Sequence, residues 1–396
     1  MTAPGRYEEC RWEARPGAIG GRRDRQPFSY KAFVPDEIAG WDLSLPPESV
    51  SAVTDATAAL ADLNGSTARL TSLEALARQL LRSESLASSR IEGLELSHRR
   101  LARATFWDEA HDPKAADVVG NIAAMERAVE IGAAADPFTV ADIQTIHQLL
   151  LRFTLDKGIA GVIRTQQNWI GRSSHSPRDA TYVPPPPGYV EPLLDDLCTF
   201  MNRDDLPAVV QAAVAHAQFE TIHPFADGNG RVGRCLIHAV LIRRGLAPRY
   251  VPPISLILAA GARQYIEGLV EFREGRAPEW IELFADATRL AAGEAKRLAD
   301  EIEALEQRWI ERLGHPRRDS SAYTVLASLP AHPVVDVATV QRLADISDVA
   351  AGRLLNRLEE AGIVTRIGDR RRGRAWEARE LFDLVNEFEG ALESAG

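Results

Sequence analysis

From Pro46 onward, apolar residues recur at three- and four-residue steps. Leu60, Leu63, Leu70, Leu73, Leu76, Leu80 and Leu81 follow this rhythm, with Gly65 as a break. The spacing predicts a helix from about Leu73 to Glu92–Gly93, where a glycine suits the C-terminal cap. Residues 115–133 form another helical stretch. Thr139 then reads as the N-cap of a helix over Val140–Leu151. Further helices are expected at about 190–203 and 207–222, from about Gly230 to Arg244 with Gly245 as a stop, and over 259–275 and 278–313.

Two stretches break the rhythm. Residues 1–45 carry Gly, Pro and Arg without clear periodicity and are expected to wrap loosely over the rest. Residues 157–188 hold Gly158, Gly161, Gly171, Pro177, Pro184–Pro187 and Gly188 around a short apolar centre, Trp169-Ile170. Proline at this density excludes a helix. A long loop or a β-hairpin is expected, and loops of this length inside a compact domain are usually functional.

Composition narrows the class. The chain has 396 residues, 45% hydrophobic and 26% charged, which excludes a disordered, collagen-like or coiled-coil protein. The length suggests two or three domains. Its formal charge of −10 argues against a surface that coats nucleic acid or anionic membrane all over, though it allows a local basic patch. Cys10, Cys198 and Cys235 lie far apart, form no metal-ligand spacing and fit a reducing cytosol. The N-terminus carries Arg6, Arg11, Arg15, Arg22, Arg23 and Arg25 but no following apolar run, so it does not read as a secretory signal. No stretch approaches the roughly 20 apolar residues of a membrane helix. The expectation is a soluble, cytoplasmic protein.

The chemistry concentrates in His223-Pro224-Phe225-Ala226-Asp227-Gly228-Asn229-Gly230-Arg231-Val232-Gly233-Arg234. Asp-Gly-Asn-Gly is a turn of residues that tolerate positive φ, and it leads directly into a helix. Consecutive backbone N–H groups there, with the helix dipole behind them, suit an anion such as phosphate. Arg231 and Arg234, spaced i,i+3, share one face of the first helical turn, and guanidinium forks match phosphate oxygens. Asp227 is a lone carboxylate, and magnesium typically takes one or two carboxylates together with substrate phosphates and water. His223 at the mouth of the turn suits a base that takes a proton from a hydroxyl. Together these residues suggest transfer of a phosphorus group from a nucleoside triphosphate. His216 and His147 read as packed structural histidines.

These twelve residues resemble the signature of the Fic family, HPFxDGNGRxxR, at all nine specified positions. A chance match has odds on the order of 10⁻⁹ at average residue usage. Ala215–Ile222 and Ile163-Arg164-Thr165-Gln166-Gln167 are also similar to family segments, and the resemblance covers roughly residues 46–290. It implies a mainly α fold, a Fic-type helical core with a β-hairpin flap. The implied activity is AMP transfer from ATP to a Tyr, Ser or Thr hydroxyl of a target protein.

In that reading His223 is the base and Asp227 holds Mg²⁺. Gly228, Asn229 and Gly230 cradle phosphate, Arg231 supports the departing pyrophosphate, and Arg234 grips the γ-phosphate. The flap around Asn168–Tyr182, including Ile170 and Gly171, would hold the target as an added strand. Tyr265 matches a position near the adenine, or is equally a core or helix-surface tyrosine. A homodimer is also implied. A related branch that phosphorylates its target differs from Asp-Gly-Asn-Gly, whereas a phosphocholine-transferring branch shares much of the motif, so another nucleotidyl or phospho-group transfer stays open.

Ser88-Ser89-Arg90-Ile91-Glu92-Gly93 resembles the family's inhibitory motif, (S/T)xxxE(G/N). Ser88 and Glu92 are spaced i,i+4. The resemblance implies self-inhibition. A Glu92 carboxylate paired with Arg234 would occupy the guanidinium that the γ-phosphate needs, and such charge-assisted pairs are strong. The same Glu92 leaves removal of AMP open as a reverse activity.

Beyond a boundary at His315-Pro316-Arg317-Arg318 the chain follows its own pattern. Ala338–Asp345 and Val349–Ala361 read as two helices with Ser347 as N-cap of the second, and strands follow at Ile363–Arg366 and Ala375–Ala378. This resembles a bacterial winged helix-turn-helix domain. Arg366, Arg370, Arg371, Arg372 and Arg374 form the local basic patch. It would meet DNA phosphates in one reading, which the acidic flanks Glu359, Glu360, Glu377 and Glu380 weaken; in the other, of equal weight, the module mediates protein contacts or dimerisation. The expected domains are a helical region at 1–114 with an inhibitory helix at about 73–93, a catalytic core at 115–290, a connecting helix at 291–318 and a winged helix at 319–396. The competing function is a nucleotide-sensing regulator that binds DNA through the winged helix.

Overall fold

The computed structural model describes residues 5–13, 23–65, 73–107, 112–153, 157–171, 175–368 and 373–393. Leu70, Arg15, Arg22, Arg370, Arg371 and Arg372 lie outside these residues. In chain order the elements begin with β1 (Gly5–Trp12) and β2 (Phe28–Pro35). Helices α1 (Pro47–Gly65), α2 (Leu73–Ile91), α3 (His98–Phe106), α4 (Pro113–Ala133) and α5 (Val140–Leu150) follow. Next come α6 (Val190–Met201), α7 (Ala208–Ile222), α8 (Asn229–Arg243), α9 (Ile254–Ala260), α10 (Ala262–Arg273) and α11 (Ala277–Arg312). The chain finishes with α12 (Ser321–Ser328), β3 (Val334–Val335), α13 (Val337–Ala344), α14 (Asp348–Glu360), β4 (Thr365–Ile367), β5 (Ala375–Glu377) and α15 (Arg379–Glu393). The fold is mainly helical. No helix among the described residues is long and apolar enough to cross a membrane.

Two compact units form. The first contains residues 1–55, 124–245 and 263–286. Its centre is α7, in which every residue from Val209 to Ile222 is buried, as expected for a helix apolar on all sides. The few buried polar groups on α7 find partners. Gln211 donates to the carbonyls of Phe200 and Arg203 and accepts from Arg244, and Gln218 donates to the carbonyl of Asp36. α8 packs on α7 at close range through Gly233. A Cβ there would stand 2.4 Å from Glu220 Oε1 and 3.0 Å from the Phe219 ring. Thr139 caps α5 in a capping box with Asp142, as its sequence predicts.

The N-terminal residues depart from the expectation of a loose wrap. β1 and β2 pair antiparallel over Gly5↔Pro35 to Trp12↔Phe28. Phe28, Tyr30, Phe33, Trp12 and Tyr7 join the two strands through ring contacts, and Trp12 also meets Trp169 edge to face at 5.5 Å. Cross-strand aromatic pairs stabilise a ribbon that helical periodicity does not register. The expected β-hairpin over 157–188 is likewise reduced. Among the described residues its only pairing is the isolated bridge Ile170↔Tyr182. Pro177 and Pro184–Pro187 lack the N–H groups that a longer ladder requires.

The second unit contains residues 56–123, 246–262 and 287–396. Here α2 is held on α9, where buried Glu84 accepts from the Ser255 amide at 2.7 Å and from its hydroxyl. Asn121 of α4 donates to the Ser85 carbonyl and to Ser89 Oγ, fixing the last turns of α2. The C-terminal portion packs α12, α13 and α14 with a three-stranded antiparallel sheet of order β3-β5-β4. Asp336 and Ser347 cap α13 and α14 by accepting from Thr339 and Ala350, and α14 ends before Gly362, whose φ is +66°.

Candidate active site

The turn between α7 and α8 is built by residues outside the helices as much as by its own. α7 ends at His223, a non-glycine residue in the left-handed region with φ 50° and ψ 61°. That conformation costs about 1–2 kcal/mol and needs outside support. Arg164 supplies it. Its Nε donates to the His223 carbonyl at 2.8 Å, its Nη2 donates to the carbonyls of Ile222 and Pro185, and its backbone N–H reaches the Pro224 carbonyl at 2.9 Å. Asn168 adds bonds to the carbonyls of His223 and Phe225, and the Tyr182 hydroxyl donates to Thr221. The orphan carbonyls at the end of α7 are thereby satisfied by the proline-rich segment. Arg164 is buried, and desolvation draws its pKa down to about 10.

The start of α8 is pinned in the same way. Asn229 accepts from the Phe225 amide at 2.8 Å and donates to the Phe225 carbonyl at 2.9 Å, so its side chain locks the loop while its backbone opens the helix. Gly228 is the N-cap with φ 78°. A Cβ there would come within 2.9 Å of Leu150 and 3.5 Å of the His147 ring. His147 Nδ1 accepts from the Gly161 amide, so its Nε2 carries the proton given to the Asp227 carbonyl at 3.0 Å. The imidazole stacks on Phe225 at 3.7 Å. Burial, with the positive Arg231 adding to it against the pull of Asp227, lowers the His147 pKa to about 4.

The recognition groups surround this turn. Asp227 has a side chain 70% exposed; Oδ1 accepts from the Gly228 amide at 2.7 Å, and Oδ2 lies 4.0 Å from Arg231 Nη2. Arg231 is 6% exposed, and its Nε and Nη1 are buried without a hydrogen-bond partner among the described residues. A buried guanidinium with unfilled donors fits an oxyanion such as a phosphate. Arg234 is buried one helical turn further on, and Gly230 directly precedes Arg231 on α8. No cluster of three or more His, Cys, Asp or Glu positioned for a metal occurs among the described residues. The donor set here is a single carboxylate, which fits a magnesium ion whose other ligands are phosphate oxygens and water.

Ile170 is 42% exposed, and its backbone groups pair with Thr181 and Tyr182. Gly171 allows the chain to approach Ala180, where a Cβ would stand 2.9 Å from its Cα. Tyr265 is buried, and its hydroxyl lies 2.8 Å from His216 Nε2 with the rings stacked. Burial, reinforced by the Arg234 charge, lowers the His216 pKa to about 3. In the second unit, Ser88 and Ser89 are fully buried on α2, and Glu92 and Gly93 form the turn that ends it. Gly93 has φ 79°, and the Leu94 amide reaches back to the Ser89 carbonyl, a glycine-capped helix end. Arg366 and Arg374 of the basic patch are exposed. Sequence reasoning placed Arg164 in a family-like segment and Asn168 at the edge of the flap, but gave neither a part in holding the turn. Their adjacency in the proline-rich segment was the available signal, but their targets lie more than fifty residues away.

The site is a turn between two buried helices that presents a histidine, a carboxylate and the start of a helix. Residues 137–241 match the Fic/DOC family and residues 50–130 match the Fic/DOC family N-terminal domain. The chain is thus similar to the Fic/DOC family over these two stretches. It is 32% identical over 120 residues to protein adenylyltransferase fic-1 of Caenorhabditis elegans, covering 30% of this chain and 22% of that relative. It is 31% identical over 156 residues to protein adenylyltransferase Fic of Aedes aegypti, covering 39% of this chain and 28% of the relative. The matched stretch thus spans less than a third of either relative. A crystal structure of a Fic family protein from Desulfovibrio desulfuricans shares the fold with a TM-score of 0.53 at 22% identity, covering 85% of this chain and 97% of that one.

Proposed function

We propose that the chain is a protein adenylyltransferase that moves AMP from ATP to a Tyr, Ser or Thr hydroxyl of a target protein. The buried donors of Arg231 that have no partner among the described residues, close to the α8 N-terminus, carry this reading, because a buried guanidinium of this kind fits an oxyanion such as a phosphate. In the proposal His223 takes the hydroxyl proton, and the nucleophile attacks the α-phosphorus as the bond to pyrophosphate breaks. Backbone N–H groups of Gly228, Asn229 and Gly230 hold phosphate oxygens, Arg231 receives the charge that develops on the leaving pyrophosphate, and Arg234 fixes the γ-phosphate. Asp227 would hold Mg²⁺, which when bound supplies charge neutralisation for the triphosphate. Ile170 and Gly171 would line the target's path, and Tyr265 would border the adenine.

The inhibitory reading belongs to the same proposal. Glu92, with Ser88 one turn before it, would compete with the γ-phosphate for Arg234, and the enzyme would idle until that competition is relieved. Cytoplasmic location and a homodimer accompany the proposal. The element order of the C-terminal portion and its antiparallel sheet support a winged helix, with exposed Arg366 and Arg374 available for DNA phosphates.

The test compares wild type with Glu92→Gly for incorporation of label from α-labelled ATP, followed by mass spectrometry of the modified residues. A strong gain of transferred AMP in the variant is expected. Modification by another group, or no incorporation in either form, rejects the reading.

A further inference from the structure

The turn that carries Glu92 is gripped on both sides by two buried glutamates of the C-terminal portion. Glu389 of α15, 4% exposed, accepts from Arg90 Nη2 at 3.0 Å and lies 2.6 Å from His98 Nε2. Arg90 stands two residues before Glu92, and His98 opens the helix that follows it. Glu377 of β5 is fully buried and binds two arginines of that helix, Arg99 and Arg103, the latter at 2.8 Å through Nε. Apolar packing repeats the pattern, since Ala102, Phe106 and Trp107 sit against a cluster of Val334, Ala375 and Phe382.

Breaking a buried ion pair by removing one partner leaves an uncompensated charge, so such clusters act as all-or-none contacts. Burial opposes ionisation of Glu389, but His98 and Arg90 outweigh it and hold its carboxyl below the usual carboxylate range. The cluster also borders a cavity of about 730 Å³ lined by Arg90, Leu96, His98, Asn386 and Glu389, which offers the 94–98 segment room to shift.

We propose that the C-terminal module is the control element of the inhibitory turn: Glu389 and Glu377 clamp the chain on either side of Glu92, and displacement of the module unclamps it. This rests on the reading of Glu92 as an inhibitor. A partner that engages the C-terminal module would therefore act on AMP transfer without approaching the nucleotide.

The experiment uses the full chain in four forms: wild type, Glu92→Gly, the double variant Glu377→Gln with Glu389→Gln, and the triple variant. Transfer of labelled AMP is measured beside hydrogen exchange of residues 89–99 and the thermal midpoint. The double variant is expected to exchange faster over that segment and to transfer at least tenfold faster than wild type. The triple variant is expected to be no faster than Glu92→Gly alone, which a merely structural role of the clamp would not produce. Release of Glu92→Gly without release of the double variant overturns the clamp and spares the inhibitory reading. Failure of Glu92→Gly itself overturns both. If the double variant unfolds, His98→Gln with Arg103→Gln carries the same comparison from the other side of the pairs.

Discussion

Arg164 Nε donates to the carbonyl oxygen of His223 at 2.8 Å, tying the proposed base to a segment that folds fifty-nine residues earlier in the chain. The bond holds His223 in a left-handed conformation that its own side chain disfavours. Arg164→Ala would leave the carbonyls of Ile222, His223 and Pro185 without this donor, at a cost of roughly 3 kcal/mol. Lysine keeps the charge but cannot span the same carbonyls. Arg164→Lys is therefore expected to remain folded by circular dichroism while its kcat falls at least tenfold with little change in KM for ATP.

His223→Ala should abolish AMP transfer and leave ATP affinity within a few-fold of wild type, because its proposed task is proton removal and not phosphate binding. Calorimetric titration with ATP and single-turnover transfer, each run in the Glu92→Gly background, separate the two quantities. Retained transfer would remove His223 from the role of base.

Gly233 falls at a position that the signature leaves unspecified, yet a Cβ there would meet Glu220 at 2.4 Å, Phe219 at 3.0 Å and His216 at 3.1 Å. In an exposed helix, Gly→Ala would stabilise by nearly 1 kcal/mol. Here the Glu220 carboxylate can swing aside, but the buried Phe219 and His216 rings cannot. Gly233→Ala is expected to destabilise by about 1–3 kcal/mol, read as a lower thermal midpoint by scanning calorimetry.

Stability should fall as the solution is acidified from about pH 6.5 toward pH 4. His147 is drawn down to about 4 and His216 to about 3 in the fold, while an unfolded histidine titrates near 6.5. Between these values the unfolded chain binds more protons than the native one, so stability rises with pH through this window and is fully present above 6.5. Urea unfolding at pH 7.5, 6 and 5 checks the slope. His147→Gln, which can keep one of the two loop hydrogen bonds, is expected to flatten part of it.

The helices, their caps and the turn between α7 and α8 were legible in the linear order of residues. Apolar spacing located α2, α5, α7 and α8 within a few residues, and Thr139, Ser347, Gly93 and Gly362 mark helix ends in the structure as in the sequence. A helix and its caps depend on residues three or four positions apart, so local order suffices to specify them. The motif at 223–234 is legible for the same reason: a positive-φ glycine, a helix start and arginines on one face are all properties of a dozen consecutive residues.

What escaped were the long-range contacts that hold these pieces in place. The β1–β2 ribbon, read as a loose wrap, exists because aromatic side chains from two strands meet. Arg164 stood in a family-like segment without a stated role until folding set its guanidinium against carbonyls at the end of α7. Glu377 read as part of the acidic flank of a basic wing and Glu389 carried no reading, and folding buried both against α3 and the end of α2. Sequence alone determined the side-chain types and the local backbone of the turn, because both are set by neighbouring residues. The tertiary structure decided which buried charges hold that turn and its neighbours in place, because a partner for a desolvated charge is chosen by proximity in space.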